Sequence, residues 1–328
     1  MVKNKSHFYI DGYYLDEFQI DCVKTNNNLL VIAGAGCGKT STIIGKVKYL
    51  ISIGIKESEI LCISLTNEAT DGLKKKINNI GFDVLCLTFH KLGLKIIKHF
   101  YKDINICSDK TLEYIVDEYF LSIVKYSYRR YILFLKFKSF KYDEIINSNE
   151  FLLYKKTIVT FINLLKNKGF DINKIYELFK NNFIKHDYFF LLEIYRIYEN
   201  ELKSNNSFDF NDMISVANKL VIKNELVLPY KYIIIDEFQD TSMIRLNLIK
   251  SIMKFNDAKI MCVGDDYQSI YRFAGSDIEV FLNFKKYFDN SEIKYLKNTY
   301  RNSRELLYIS NNFICKNRYQ IKKELFSN

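Results

Sequence analysis

Residues 29–40 read LLVIAGAGCGKT, and no other stretch limits the fold of this chain so tightly. A buried apolar run enters a glycine-rich turn and continues into Gly38-Lys39-Thr40 at the head of a helical pattern. Glycine lets the backbone curl so that successive N–H groups point inward at an anion. The N-terminus of the following helix adds a field that favours negative charge. A strand–turn–helix unit of this kind belongs to a parallel α/β sheet. In such a phosphate loop Lys39 reaches the β- and γ-phosphates of ATP, and the Thr40 hydroxyl ligates Mg²⁺. The expected cradle is Ala33, Gly34, Ala35, Gly36, Cys37 and Gly38, continuing through Lys39, Thr40 and Ser41. Ala33 stands where the strict pattern has Gly.

The rest of the chain supplies the sheet that the loop demands. Further apolar runs at Ile60–Ser64, Val84–Thr88, Tyr232–Asp236, Lys259–Val263 and Ile293–Leu296 join Leu29–Ala33 as candidate strands. Their unbroken hydrophobicity fits strands buried on both faces. Helical patterns follow several of them, including Thr40–Ile53 and Asn67–Asn79. The run YIIIDEFQDT at residues 232–241 carries two adjacent carboxylates to a strand end, where ligands of open α/β sheets bind. Asp236 is the candidate to hold Mg²⁺, and Glu237 to polarise an attacking water. Adjacent acids repel and would serve no purpose in a merely structural strand end.

From about Gly93 to Ser207 the strand signal fades and apolar residues recur every three or four positions, as in YFFLLEIYRIYENEL, so a mostly helical insertion is expected. Within it, KYSYRRYILFLKFKSFK at residues 125–141 interleaves basic and aromatic residues. It reads either as an amphipathic helix with an aromatic core stripe or as a nucleic-acid contact. The net charge of +10 favours a polyanionic partner. The Lys-rich segment Lys316–Lys323 reads as a solvated face. Seven cysteines, an odd number with no C-x-x-C pair, read as small buried hydrophobes in a reducing compartment. No uncharged apolar stretch reaches membrane-spanning length, so no membrane partner is expected.

Taken in order, the motifs resemble those of superfamily 1 DNA helicases of the UvrD/Rep type. AGAGCGKT and DEFQDTS resemble that family's motifs I and II, and DEFQD with GDDYQSIYRFAGSD points to the helicase IV branch. The resemblance implies a RecA-like parallel sheet with helices on both faces, the fold of a P-loop NTPase, and a mostly helical inserted subdomain. Residues 1–93 and 208–290 would form the ATP-binding domain, 94–207 the helical insertion, and 291–328 the start of a second RecA-like domain. The implied activity is ATP hydrolysis driving 3′–5′ movement on single-stranded DNA or a tailed duplex, in the cytoplasm with the nucleoid.

The resemblance also assigns roles. LDEFQ at residues 15–19 resembles the Q motif, so Gln19 would read adenine. Thr66 and Asn67 fall in motif Ia and Thr88, Phe89 and His90 in motif Ib, both implying single-stranded DNA contacts. Gln268 of motif III would sense the γ-phosphate, with Tyr271 and Phe273 facing DNA. Tyr300 of motif IV would stack on adenine, and Arg301 would reach the γ-phosphate. Phe208–Ile214 resembles a family helix of mostly structural role. Leu65 stands where the family usually has a base-stacking aromatic, Glu68 replaces a common basic residue, Phe273 the usual Trp and Cys37 the usual Ser. Nothing resembles motifs V and VI. The expectation is therefore that the chain alone does not unwind duplex DNA, and that a second polypeptide could supply the missing motor domain.

Overall fold

The computed structural model describes residues 8–10, 12–108, 110–123, 148–179, 185–317 and 320–327, without the side chains of residues 13, 179 and 185–188. The basic segment 125–141 lies outside the described residues. The centre is a six-stranded sheet of β1 (Asn28–Ala33), β2 (Ile60–Ser64), β3 (Leu85–Thr88), β4 (Tyr232–Ile235), β5 (Lys259–Gly264) and β6 (Ser291–Leu296). The spatial order is β6-β1-β5-β4-β2-β3, and every pairing is parallel. Because strand side chains alternate, Leu30, Ile32, Leu61 and Ile233 enter one core layer, and Leu29, Val31, Cys62 and Ile234 the other. Burial on both faces explains the apolar runs of β1, β2, β4 and β5, whereas the edge strand β6 is only half-buried and carries Lys294.

Helices α1 (Glu17–Lys24), α2 (Lys39–Ser52) and α3 (Asn67–Asn79) cover one face. Helices α4 (Phe89–Phe100), α9 (Phe210–Lys223) and α10 (Met243–Asn256) cover the other. Strand and helix limits differ from the sequence expectation by a residue or two. The main consequence is that β4 stops at Ile235, so Asp236 stands just beyond the strand end.

The insertion contains α5 (Thr111–Ile123), α6 (Asn149–Asn167), α7 (Ile172–Phe179) and α8 (Lys185–Ser204) around a core of its own that includes Phe120, Phe151, Ile162 and Ile194. A buried charge cluster ties it to the sheet domain. Lys166 of α6 pairs with Glu199 of α8 at 2.8 Å and with Asp209 and Asp212, at the start of α9, at 2.6 and 3.0 Å. Burial disfavours the ammonium, but the three carboxylates outweigh it and keep Lys166 charged. Removing one partner of a buried ion cluster strands the others in low dielectric. Lys166→Ala should therefore lower unfolding stability by about 3–5 kcal/mol; denaturant melts differing by less than about 1 kcal/mol would show that the cluster is not structural.

The last part of the chain folds back onto this sheet. Residues 291–296, read from the sequence as the start of a second domain, pair in register with β1 from Ser291↔Asn28 to Leu296↔Ala33. Beyond α11 (Arg304–Ile314), Phe326 and Ser327 pair in parallel with Asn298 and Thr299. The solvated face expected over Lys316–Lys323 is corrected at its end: Lys323 is 8% exposed and forms ion pairs with Asp265 and Asp266. No local pattern signals this, because its acidic partners lie more than fifty residues away.

Candidate nucleotide site and DNA-facing groove

Since all six strands run the same way, the loops that carry the motifs emerge on one edge of the sheet. The phosphate loop leaves β1, Asp236 and Glu237 follow β4, the Gln268 loop follows β5, and Tyr300 and Arg301 follow β6. Gly36 and Gly38 take left-handed backbone angles, φ 77° and 76°. A Cβ at Gly36 would collide with the Arg301 Cβ and backbone, so that position requires glycine for space as well as for conformation, whereas one at Gly38 would meet only the movable end of the Gln19 side chain. The loop is braced by the stretch after β6: Thr299 Oγ1 donates to the Ala35 carbonyl at 2.9 Å, and Tyr300 N–H to the Gly36 carbonyl at 3.0 Å. Cys37 is buried beneath it, where burial pushes its thiol up to about 11, so it is an inert packing group. Ala33 closes β1, fully buried.

A cavity of about 410 Å³ opens over the loop, lined among others by Lys39, Thr40, Ser41, Glu237, Gln268 and Arg301. Lys39 Nζ bonds both carboxylate oxygens of Glu237, at 2.9 and 2.8 Å. Glu237 itself has φ 50°, a conformation that costs energy in a non-glycine residue and that turns its carboxylate toward the phosphate loop. Gln239 is the link that sequence reasoning missed. Its Nε2 donates to Glu237 at 2.8 Å, and its Oε1 accepts the N–H of Asp265 at 3.0 Å. Asp265 in turn accepts from Gln268 Nε2 at 2.6 Å. A continuous chain of contacts thus joins Lys39 and Glu237 to Gln268. The only sequence signal was the place of Gln239 inside DEFQD.

The donor set suits a nucleotide with a divalent cation. Asp236 is half-buried beside Glu237, and desolvation followed by that neighbouring charge pushes its carboxyl up to about 6. A cation relieves such repulsion. Among the described residues no cluster of three or more His, Cys, Asp or Glu could hold a metal alone. Thr40 and Asp236 would therefore need phosphate oxygens to complete an Mg²⁺ shell, which is how this ion commonly binds.

At the far end of the cavity, the Tyr300 hydroxyl donates to Asp16 at 2.7 Å. Asp16 also caps α1, accepting the Gln19 N–H at 2.8 Å, while Gln19 Oε1 accepts the Asp16 N–H at 2.9 Å. Gln19 Nε2 points at the carbonyls of Cys37 and Gly38, at 3.4 and 3.5 Å. The Gln19 amide is thus engaged within the protein, and a bidentate adenine contact requires it to rotate out of the capping box.

A second cavity, about 350 Å³, brings the motif Ia and Ib residues together between the ends of β2 and β3. Its walls include Leu65, Thr66, Asn67, Glu68, Thr88 and His90. Thr66 and Thr88 use their hydroxyls as helix caps, accepting from Ala69 N–H at 3.2 Å and Lys91 N–H at 3.3 Å. Phe89 is buried in the core rather than facing the groove. Phe210, read from the sequence as structural, is 44% exposed in this wall, with its ring 5.4 Å from that of His90. Tyr271 and Phe273 stand exposed on the loop after β5, their centroids 6.1 Å apart.

Burial, and then the nearby Arg245 charge, lower His90 to about 4, so it is neutral at physiological pH and cannot neutralise a phosphate. Its folded-state value lies below the unfolded one, so its contribution to stability is present above about pH 6.5 and is lost as pH falls toward 4. His90→Asn should therefore flatten the acid-side loss by on the order of 3 kcal/mol relative to the unsubstituted chain. Parallel stability curves between pH 4 and 7 would contradict the half-buried, neutral imidazole.

The family model described as the UvrD/REP helicase N-terminal domain matches residues 15–289. The chain is 32% identical to a probable DNA helicase II homolog of Mycoplasma capricolum, over 91% of this chain and 40% of that protein. It is 33% identical to the ATP-dependent DNA helicase Rep of Buchnera aphidicola, over 91% of this chain and 42% of the relative. Against the ATP-dependent DNA helicase PcrA of Bacillus subtilis the identity is 28%, over 95% and 41% respectively. The chain thus spans less than half the length of these relatives. Its sheet order, its phosphate loop and a match across most of its residues agree: the chain belongs to the UvrD/REP helicase N-terminal domain family.

Proposed function

We propose that the chain is the ATP-binding core of a DNA helicase that hydrolyses ATP to move 3′–5′ along single-stranded DNA, acting in the cytoplasm with the nucleoid. The observation that carries this reading is the Lys39–Glu237 pair at the mouth of the phosphate loop, with Gln268 and Arg301 lining the same cavity. The loop N–H groups and the α2 N-terminus hold the triphosphate. Its γ-phosphate competes with Glu237 for Lys39. Glu237, released from that pair, accepts a proton from water as it attacks in line. Arg301 and Gln268 stabilise the charge that develops on the γ-phosphate. Thr40 and Asp236 would hold Mg²⁺, which would supply positive charge to offset that of the phosphates.

Single-stranded DNA is assigned to the Thr66–His90 groove and to the exposed rings of Tyr271 and Phe273. Base stacking on an aromatic ring is worth about 1–3 kcal/mol. Phe273→Ala and Phe210→Ala should each weaken oligonucleotide binding about 10–100-fold, read by fluorescence anisotropy at fixed salt. Unchanged affinity in both variants would remove this face from the DNA path.

A second reading is that the chain is the ATP-responsive half of a split motor. The exposed face of α11, with Leu306, Tyr308, Ile309 and Phe313, favours it. An ATPase assay with and without single-stranded DNA separates the two. Hydrolysis by the chain alone that single-stranded DNA stimulates supports the first reading; hydrolysis and strand separation only after adding a polypeptide corresponding to the rest of the relatives supports the second.

A further inference from the structure

Lys323 lies far along the chain from any nucleotide motif, yet it is among the most buried charges in the molecule. Its side chain is 2% exposed, as are those of Asp265 and Asp266, and its ammonium contacts both carboxylates, the Asp266 pair at 2.6 Å. It also sits 3.7 Å from the centroid of the Tyr267 ring, so an ion pair and a cation–π contact fix it from two sides. The backbone N–H of Ile321 donates to Asp266 at 2.8 Å, and Leu325 packs where a Cβ on Gly34 would stand. The strand pairing of Phe326 and Ser327 with Asn298 and Thr299 anchors the segment to the stretch that carries Tyr300 and Arg301.

The geometry matters because Asp265 serves three donors. One carboxylate oxygen takes the Lys323 ammonium and the Tyr267 N–H, the latter at 3.1 Å, and the other accepts Gln268 Nε2 at 2.6 Å. Without Lys323, two adjacent buried carboxylates would repel, and Asp265 would turn toward whatever donor or solvent it could reach. Gln268 would then lose the acceptor that orients it in the phosphate cavity.

We infer that Lys323 is a positioning residue for Gln268: it clamps Asp265 so that the Gln268 amide faces the γ-phosphate, and thereby links the segment after α11 to the nucleotide site. This rests on the proposed reading of Gln268 as the group that senses the γ-phosphate.

The test uses the full chain and a binding readout that needs no turnover. The affinities for a fluorescent non-hydrolysable ATP analogue and for the matching ADP are measured, with Mg²⁺, in the unsubstituted chain, in Lys323→Met, in Gln268→Ala and in the double variant. The unsubstituted chain should prefer the triphosphate by about tenfold, the size of one charge-assisted hydrogen bond. Lys323→Met should lose most of that preference while keeping ADP affinity within about threefold, and the double variant should lose no more than Gln268→Ala alone. If Lys323→Met keeps the preference, or if the two losses add, the positioning role is overturned while the nucleotide site stands. If the unsubstituted chain binds neither nucleotide, the proposed function fails and this inference falls with it. Should the Met variant not fold, Lys323→Gln decides: its neutral amide can donate to a carboxylate but cannot neutralise the pair, and undiminished triphosphate preference in that variant overturns the inference.

Discussion

Glu237→Gln is expected to bind ATP at least as tightly as the unsubstituted chain and to turn it over about 10²–10⁴-fold more slowly. The two halves of this result have separate causes. Gln keeps the length and most of the shape of Glu, and its amide oxygen can still accept from Gln239 Nε2, which reaches Glu237 at 2.8 Å. The left-handed backbone at residue 237 is unchanged by the substitution. What disappears is the negative charge. Lys39 loses its carboxylate partner at 2.8–2.9 Å and is free for phosphate, so affinity does not fall. A neutral amide cannot take a proton from water, so the chemical step loses its base. Calorimetric titration and single-turnover hydrolysis read the two halves independently. Turnover within tenfold of the unsubstituted chain would take Glu237 out of the mechanism.

Lys39→Ala should do the opposite, lowering ATP affinity at least about 100-fold while leaving the melting transition in place. Lys39 neutralises Glu237 across the cavity and lies next to the raised carboxyl of Asp236. Without its ammonium, an incoming triphosphate meets two uncompensated acids as well as losing its own strongest side-chain contact. The fold should survive, because Lys39 is partly solvent-exposed and Glu237 can be hydrated once unpaired. Equal ATP affinity in both proteins would place the nucleotide elsewhere.

The sheet was legible because its physics is local. Continuous apolar runs mark strands covered on both faces, and the pattern around residues 29–40 dictates a strand, an anion cradle and a helix whatever surrounds them. The placement of Lys39, Asp236, Glu237, Gln268, Tyr300 and Arg301 on one edge was legible for the same reason: each follows a strand end by a few positions, and a parallel sheet carries all such ends to one edge. The groove was harder to read. Phe89 looked like a DNA contact by motif position, but its ring lies in the core, while Phe210, the first residue of a helix read as structural, occupies the wall beside His90. Thr66 and Thr88 each fit two readings, since a hydroxyl at a helix start caps the helix as readily as it meets a phosphate. Gln239 and Lys323 were invisible for another reason. Their importance comes from partners brought together only by the folded chain, Gln239 with Asp265 and Lys323 with both Asp265 and Asp266, and no local spacing encodes that.

ATP hydrolysis by the purified chain, followed with and without Mg²⁺ and repeated for Glu237→Gln, tests the assignment of the sheet edge most directly. Mg²⁺-dependent phosphate release that vanishes in Glu237→Gln, with ATP binding retained in both proteins, is the expected result. Hydrolysis that persists in Glu237→Gln, or an unsubstituted chain that does not bind ATP, would contradict it.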